Sequence, residues 1–252
     1  MITLRRALLK GEKMKKVLIK VLRTHPRKGN QFWQSFEYEG DRDVPISFVL
    51  DEINSREKMI DTNLDIATPI LWDRSCREGN CGTCAMVISH FPRLACSTIL
   101  SDVLINGECE IRPLTKFPII ADLKVDRTVL VEGLKDMRLW LESEVKLDKY
   151  GLDSQYEISK CMACGCCLEA CPNYSGDEDF VGAMSTNLSY KNYTQEKDPE
   201  YVKSLKKKYK KKFFNGCSKS LICVKVCPVG IPTETDMSNM NSLSVWRIWQ
   251  KK

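Results

Sequence analysis

The chain has 252 residues, of which 43% are hydrophobic and 29% charged, and it carries a net charge of +6. That length allows one large domain or two small ones, while the longest apolar runs, such as PISFVL and FPIIADL, are far too short to cross a bilayer unaided. Thirteen cysteines at short spacings, without a signal-peptide core, point to metal ligation in a reducing compartment rather than disulfides, and two isolated histidines, His25 and His90, are a poor supply for a zinc enzyme.

The opening MITLRRALLKGEK is basic, and residues 1–14 read as an N-terminal arm, since a transit peptide is longer and richer in serine. VLIKVLRT (17–24) and FWQSFEYE (32–39) alternate like strands, with RKGN between them as a hairpin loop. After Pro45, SFVLDEIN predicts a short helix with Val49 and Ile53 one turn apart. AMVIS and CEIRPL are the next strands, and HFPR and ING are their turns. Residues 15–117 thus form a small mixed α/β unit. KFPIIAD marks a change of character, beyond which strand signals vanish. VLVEGLKDMRLWLES then places Val131, Leu134 and Leu141 at helical spacings, and residues 118–252 are expected to be helical. The fold class is α+β, a β-rich domain followed by an α-helical one. Within the second, Lys203 to Lys212 holds seven lysines in ten residues. A solvated helix face accounts for such a run, and a docking patch for anionic lipid headgroups is the alternative. No stacking platform of aromatic residues accompanies it, so nucleic acid is not an expected partner.

The cysteines fall into three constellations. CREGNCGTC sets out Cys76-x4-Cys81-x2-Cys84, followed after eleven residues by Cys96. This is the plant-type 2Fe-2S spacing, and Gly79 and Gly82 supply a backbone that lets N–H groups approach the cluster sulfur. CMACGCCLEACP sets out Cys161-x2-Cys164-x2-Cys167-x3-Cys171-Pro172, the complete bacterial ferredoxin run. CSKSLICVKVCP repeats that frame at Cys217, Cys223 and Cys227, but with Ser220 where the second cysteine belongs. In two-cluster ferredoxins the halves exchange their last ligands. Cys161, Cys164, Cys167 and Cys227 would then hold a 4Fe-4S cluster. Cys171, Cys217 and Cys223 hold the other, and three thiolates suit a 3Fe-4S cluster, with a Ser220 alkoxide as the alternative fourth ligand. Cys166 reads as filler between ligand positions, and Cys109 as a small buried residue on a strand.

These three motifs together resemble the iron–sulfur subunit of succinate dehydrogenase and fumarate reductase, with SCREGNCG and CGCCLEACP similar to that family's signatures from about Met14 to Ile231. The resemblance implies a β-grasp ferredoxin-like domain, then a helical-ferredoxin domain, in a respiratory complex II that can serve the tricarboxylic acid cycle. It implies an FAD-containing flavoprotein partner, an integral membrane anchor that often carries haem, and electron relay from flavin through 2Fe-2S, 4Fe-4S and 3Fe-4S to quinone. The chain itself shows no dinucleotide fingerprint and no acid–base pair for dicarboxylate chemistry, so no catalytic residue is assigned. Where ubiquinone-using relatives place tryptophan and histidine, this sequence has Asn173, Tyr174 and Ser218. Menaquinone and a dihaem anchor are therefore expected, with Pro172 and Ser218 nearest the quinone. The expected place is the cytoplasmic face of the cell membrane, or the matrix side of a mitochondrial inner membrane. A soluble multi-cluster ferredoxin-like carrier and a thiol-driven fumarate reductase subunit are the competing readings. The latter's relatives append cysteine-rich repeats, whereas no cysteine follows Pro228 here.

Overall fold

The computed structural model describes residues 16–25, 29–142, 144–145, 152–176 and 179–246. The arm expected at residues 1–14 lies outside them, as do Arg27 and Lys28 of the RKGN loop. The chain divides into two compact units, one ending at Val125 and the other beginning at Asp126.

The first unit is built on a five-stranded mixed sheet. Strand β1 (Val17–Thr24) pairs antiparallel with β2 (Gln31–Tyr38) and parallel with β5 (Glu108–Arg112). Strand β3 (Ala85–Ile88) joins β5 to β4 (Phe91–Leu94), giving the order β2-β1-β5-β3-β4. Alternation in β1 sends Val17, Ile19 and Val21 into the core, the period-two pattern of a half-buried strand. Helix α1 (Ile46–Asn54) buries Ile46, Val49, Leu50 and Ile53, so the one-turn spacing of Val49 and Ile53 is its core stripe. A mixed sheet crossed by one helix is the β-grasp arrangement.

One expected turn, and the segment expected to mark the change of character, are strands instead. HFPR is not a turn: Phe91–Leu94 is β4, and the reversal is made by Ser89 and His90, at φ 44° and 75°. Two successive residues with positive φ make the tight hairpin whose twist matches its strands, and only two residues separate the paired Ile88 and Phe91. KFPIIAD likewise leads into β6 (Ile119–Ala121), which pairs with β7 (Lys124–Val125). The first unit therefore runs past residue 117 to Val125. Asp122 explains this: its carboxylate accepts from Thr24 N at 3.0 Å and Leu71 N at 2.9 Å and pairs with Arg23 at 2.9 Å. This interaction ties the hairpin back to β1.

The second unit is helical: α2 (Thr128–Met137), α3 (Leu152–Ser159), α4 (Cys166–Ala170), α5 (Gly182–Gln195), α6 (Pro199–Tyr209), α7 (Ile222–Lys225) and α8 (Thr233–Ser244). Helix α2 is shorter than its sequence pattern suggests. Arg138 adopts a left-handed cap at φ 56°, so Leu141 lies beyond the helix, and Leu130 and Met137 rather than Val131 face the core. The lysine-rich run is α6 continued by a π-helical turn at Lys210–Phe214. Asp198 caps α6 by accepting from Glu200 N and Tyr201 N, and Pro199 suits its first position. Tyr201, Leu205 and Tyr209 form its buried stripe, which turns most of the lysines outward. Lys208 and Lys212 instead reach Asp136 of α2.

Candidate metal centres

The loop from Cys76 to Cys84 coils so that backbone N–H groups meet sulfur. Glu78 N and Asn80 N donate to Cys76 Sγ at 3.4 and 3.3 Å, and Gly79 N donates to Cys96 Sγ at 3.2 Å. The coil needs left-handed backbone at Arg77, Gly79 and Gly82, with φ of 60°, 74° and 73°. A Cβ on Gly79 would also stand 2.8 Å from Ser97 Oγ and push that hydroxyl aside, while the left-handed backbone itself favours glycine. Cys84 and Cys96 are buried with their sulfurs 3.4 Å apart. Burial pushes the Cys84 thiol up to about 12, whereas the Thr83 hydroxyl, 3.2 Å from Cys81 Sγ, holds Cys81 down to about 6. Thr83 and Ser97 were not singled out from sequence, although a hydroxyl beside a cysteine was the available signal. Four thiols, with Cys76 and Cys96 accepting from backbone N–H groups, form a donor set that fits a 2Fe-2S cluster, whose sulfur atoms need such hydrogen bonds.

In the helical unit, seven cysteines divide between two hollows. Cys161, Cys164, Cys167 and Cys227 line the first, and Cys171 and Cys217 line the second together with Ser220. Cys223 touches both. The thiol energetics follow the same division. Burial, then the neighbouring Cys164 and Cys227, raises Cys161; burial, then Cys171 and Cys217, raises Cys223. Cys167 is pushed well above its ordinary value by burial and by the surrounding thiolates. A cluster's iron would compensate that repulsion, because ligation requires the thiolate. No group of three or more His, Cys, Asp or Glu among the described residues is gathered as a single metal ion would need. A cluster interposes its own iron and sulfide, which keeps its ligand sulfurs farther apart.

The backbone repeats itself around these hollows. After Cys161, left-handed residues occur at Ala163 (φ 50°) and Gly165 (φ 89°), and α4 then begins. After Cys217, they occur at Lys219 (φ 59°) and Leu221 (φ 57°), and α7 then begins. The offsets are identical, so Ser220 occupies the backbone place of Cys164. Alternating backbone of this kind points N–H groups inward, as a nest does for an anion. Lys219 N accordingly donates to Cys217 Sγ at 3.4 Å and Ile231 N to Cys227 Sγ at 3.5 Å.

Cys166 is not mere filler. It is fully buried, and its neighbouring thiol, with help from the Arg127 charge, holds Cys164 down to about 7, while Cys166 itself is raised. Arg127 Nε also donates to the Cys164 carbonyl at 3.4 Å, a neighbour that spacing alone did not reveal. Cys109 is fully buried on β5, near the Ser89 hydroxyl. Pro172, Asn173 and Ser218 are exposed beside the second hollow, with Ser218 Oγ donating to Asn173 Oδ1 at 2.6 Å, whereas Tyr174 is buried.

Comparison with known proteins places this geometry in context. Residues 18–132 match the 2Fe-2S iron–sulfur cluster binding domain and residues 157–231 the 4Fe-4S dicluster domain. The succinate dehydrogenase iron–sulfur subunit of Bacillus subtilis is 29% identical over 82% of this chain and 86% of its own. The fumarate reductase iron–sulfur subunit of Wolinella succinogenes is 29% identical over 66% of this chain and 74% of its own. In fold, a chain of the Mycobacterium smegmatis Sdh1 complex superposes with a TM-score of 0.74 at 18% identity, covering 94% of this chain and 98% of that one. No helix among the described residues is long and apolar enough to cross a membrane. With both cluster domains in this order and relatives matched along most of its length, the chain is similar to the iron–sulfur subunits of succinate dehydrogenase and fumarate reductase.

Proposed function

We propose that this subunit relays single electrons between the FAD of a flavoprotein partner and a quinone, using a 2Fe-2S, a 4Fe-4S and a 3Fe-4S cluster in sequence. Cys76, Cys81, Cys84 and Cys96 would hold the first, Cys161, Cys164, Cys167 and Cys227 the second, and Cys171, Cys217 and Cys223 the third. The observation that carries this reading is the division of seven cysteines between two hollows, with Ser220 at the backbone place of a missing thiol. The clusters supply one-electron chemistry at potentials set by their type and surroundings. The protein contributes deprotonated thiols, backbone donors to sulfur and a wall of apolar side chains that limits water.

The finer assignments follow from the surface beside the second hollow. Asn173 and Ser218 present a small hydrogen-bonded polar pair there, with neither an indole nor an imidazole. This favours menaquinone and a haem-bearing membrane anchor over the ubiquinone type of pocket, with Pro172 and Ser218 nearest the quinone. Lys207, Lys210 and Lys211, exposed on the segment that leads to Cys217, would face anionic headgroups at the cytoplasmic membrane surface.

Iron analysis of anaerobically prepared complex tests the reading directly. About 9 irons per chain are expected from two, four and three per cluster. Oxidised protein should also give the near-isotropic EPR signal of an odd-electron 3Fe-4S centre. An iron content near that of a single cubane, or no such signal, would refute the assignment of the helical unit.

A further inference from the structure

Two buried polar side chains in the helical unit have hydrogen-bonding capacity that the protein leaves unused. Asn187 on α5 and Thr233 at the start of α8 are each 3% exposed. Asn187 Nδ2 donates to Thr233 Oγ1 at 3.0 Å, yet Asn187 Oδ1 is buried without a hydrogen-bond partner. An amide and a hydroxyl together carry three donor hydrogens, and their mutual bond uses one. Turning the amide over would let the Thr233 hydroxyl donate to Oδ1 and put N–H where the unpartnered oxygen stands. In either arrangement the pair keeps a donor directed into its buried surroundings.

Those surroundings are the hollows. Thr233 lines both of them, as do Ala183 and Cys223, so these three form the wall shared by the two. Asn187 lines the first, beside Cys161 and Cys227. An unsatisfied buried polar group normally destabilises a fold unless something completes it. With the amide turned over, the group left over is an N–H, and sulfur bearing negative charge is an acceptor that would complete it.

We propose that the Asn187–Thr233 pair donates a hydrogen bond to sulfur of the cluster seated in the first hollow and so raises its reduction potential, with Asn187 as the positioning residue. The inference rests on the reading of that hollow as the 4Fe-4S site. A donor aimed at sulfide stabilises the more negative, reduced form, and in a low-dielectric interior that effect is stronger than in water. Thr233 stands in the shared wall between the two hollows without being a ligand in either.

The test is an EPR-monitored redox titration of the intact complex. Thr233→Val keeps the shape and removes the hydroxyl, and should lower the one-electron equilibrium constant for reducing this cluster about tenfold, or ~59 mV. Thr233→Ser should restore the wild-type potential, which a purely packing role would not predict. An unchanged potential in Thr233→Val, with its cluster spectra intact, overturns the proposal. If Thr233→Val does not assemble, Asn187→Leu carries the same expectation and the same refutation. A wild-type complex with no reduced 4Fe-4S signal would instead overturn the cluster reading itself, and this inference with it.

Discussion

Replacing Asp122 by alanine should unfold the first unit far more readily than its place in a short hairpin suggests. Asp122 and Arg23 are 3% and 4% exposed, and their ion pair closes at 2.9 Å. The carboxylate also accepts from Thr24 N and Leu71 N, so alanine strands two backbone donors as well as a buried guanidinium. Removing one partner of a buried pair destabilises by roughly 3–5 kcal/mol. The lower half of that range applies, because Arg23 keeps Gln34 Oε1 at 2.9 Å and the carbonyls of Thr68 and Pro69, each at 3.1 Å. With an m-value of about 2 kcal/mol/M in urea, a loss of about 3–4 kcal/mol lowers the midpoint by about 1.5–2 M. Urea titration of the full chain, followed by far-UV circular dichroism and 2Fe-2S absorption, would measure it. The cluster signal should fail first, because the segment pinned at Leu71 leads directly into Cys76. Adding Arg23→Met to Asp122→Ala should not deepen the loss, since no charge is then left unpaired. A midpoint shift below about 0.5 M, or fully additive effects, would refute the view that this pair anchors the hairpin.

Four further outcomes are expected. Ser220→Cys completes the second cysteine run, so the 3Fe-4S EPR signal should diminish, the potential should fall, and quinone-linked turnover should drop while dye reduction at the flavin persists. Gly79→Ala places a Cβ against Ser97 Oγ at a left-handed position and should reduce 2Fe-2S content at least severalfold, measured by iron and sulfide assay. Neutralising Lys207, Lys210 and Lys211 should weaken binding to anionic vesicles at low salt and remove its salt dependence, whereas binding that ignores both charge and salt leaves only a solvated helix face. Burial raises the Asp236 carboxyl to about 6, above its ordinary 3.8, so the folded state holds the proton more tightly. Its contribution to stability is present below the unfolded value and is lost as pH rises through about 6; Asp236→Asn should flatten that window in urea midpoints taken between pH 4 and 7.

Much of this protein was legible because its cysteine runs are written in short spacings. Cys76-x4-Cys81-x2-Cys84 and Cys161-x2-Cys164-x2-Cys167 require their loops to coil, and the left-handed residues at Gly79, Gly82 and Gly165 are the backbone form of that requirement. The alternation of β1 and the Val49–Ile53 stripe were equally readable, since period and burial are local properties. HFPR misled because proline and histidine suggest a turn, whereas β4 gains its strand character by pairing with β3. Only tertiary structure revealed that Asp122 carries the first unit to Val125, that the buried Cys166 thiol holds Cys164 down, and that Thr233 stands between two hollows. A cysteine run declares itself over ten residues, because its geometry closes within one loop. Asp122 lies 98 positions from Thr24 and Thr233 lies 46 from Asn187, and such separations acquire energetic meaning only when folding removes water from both partners at once.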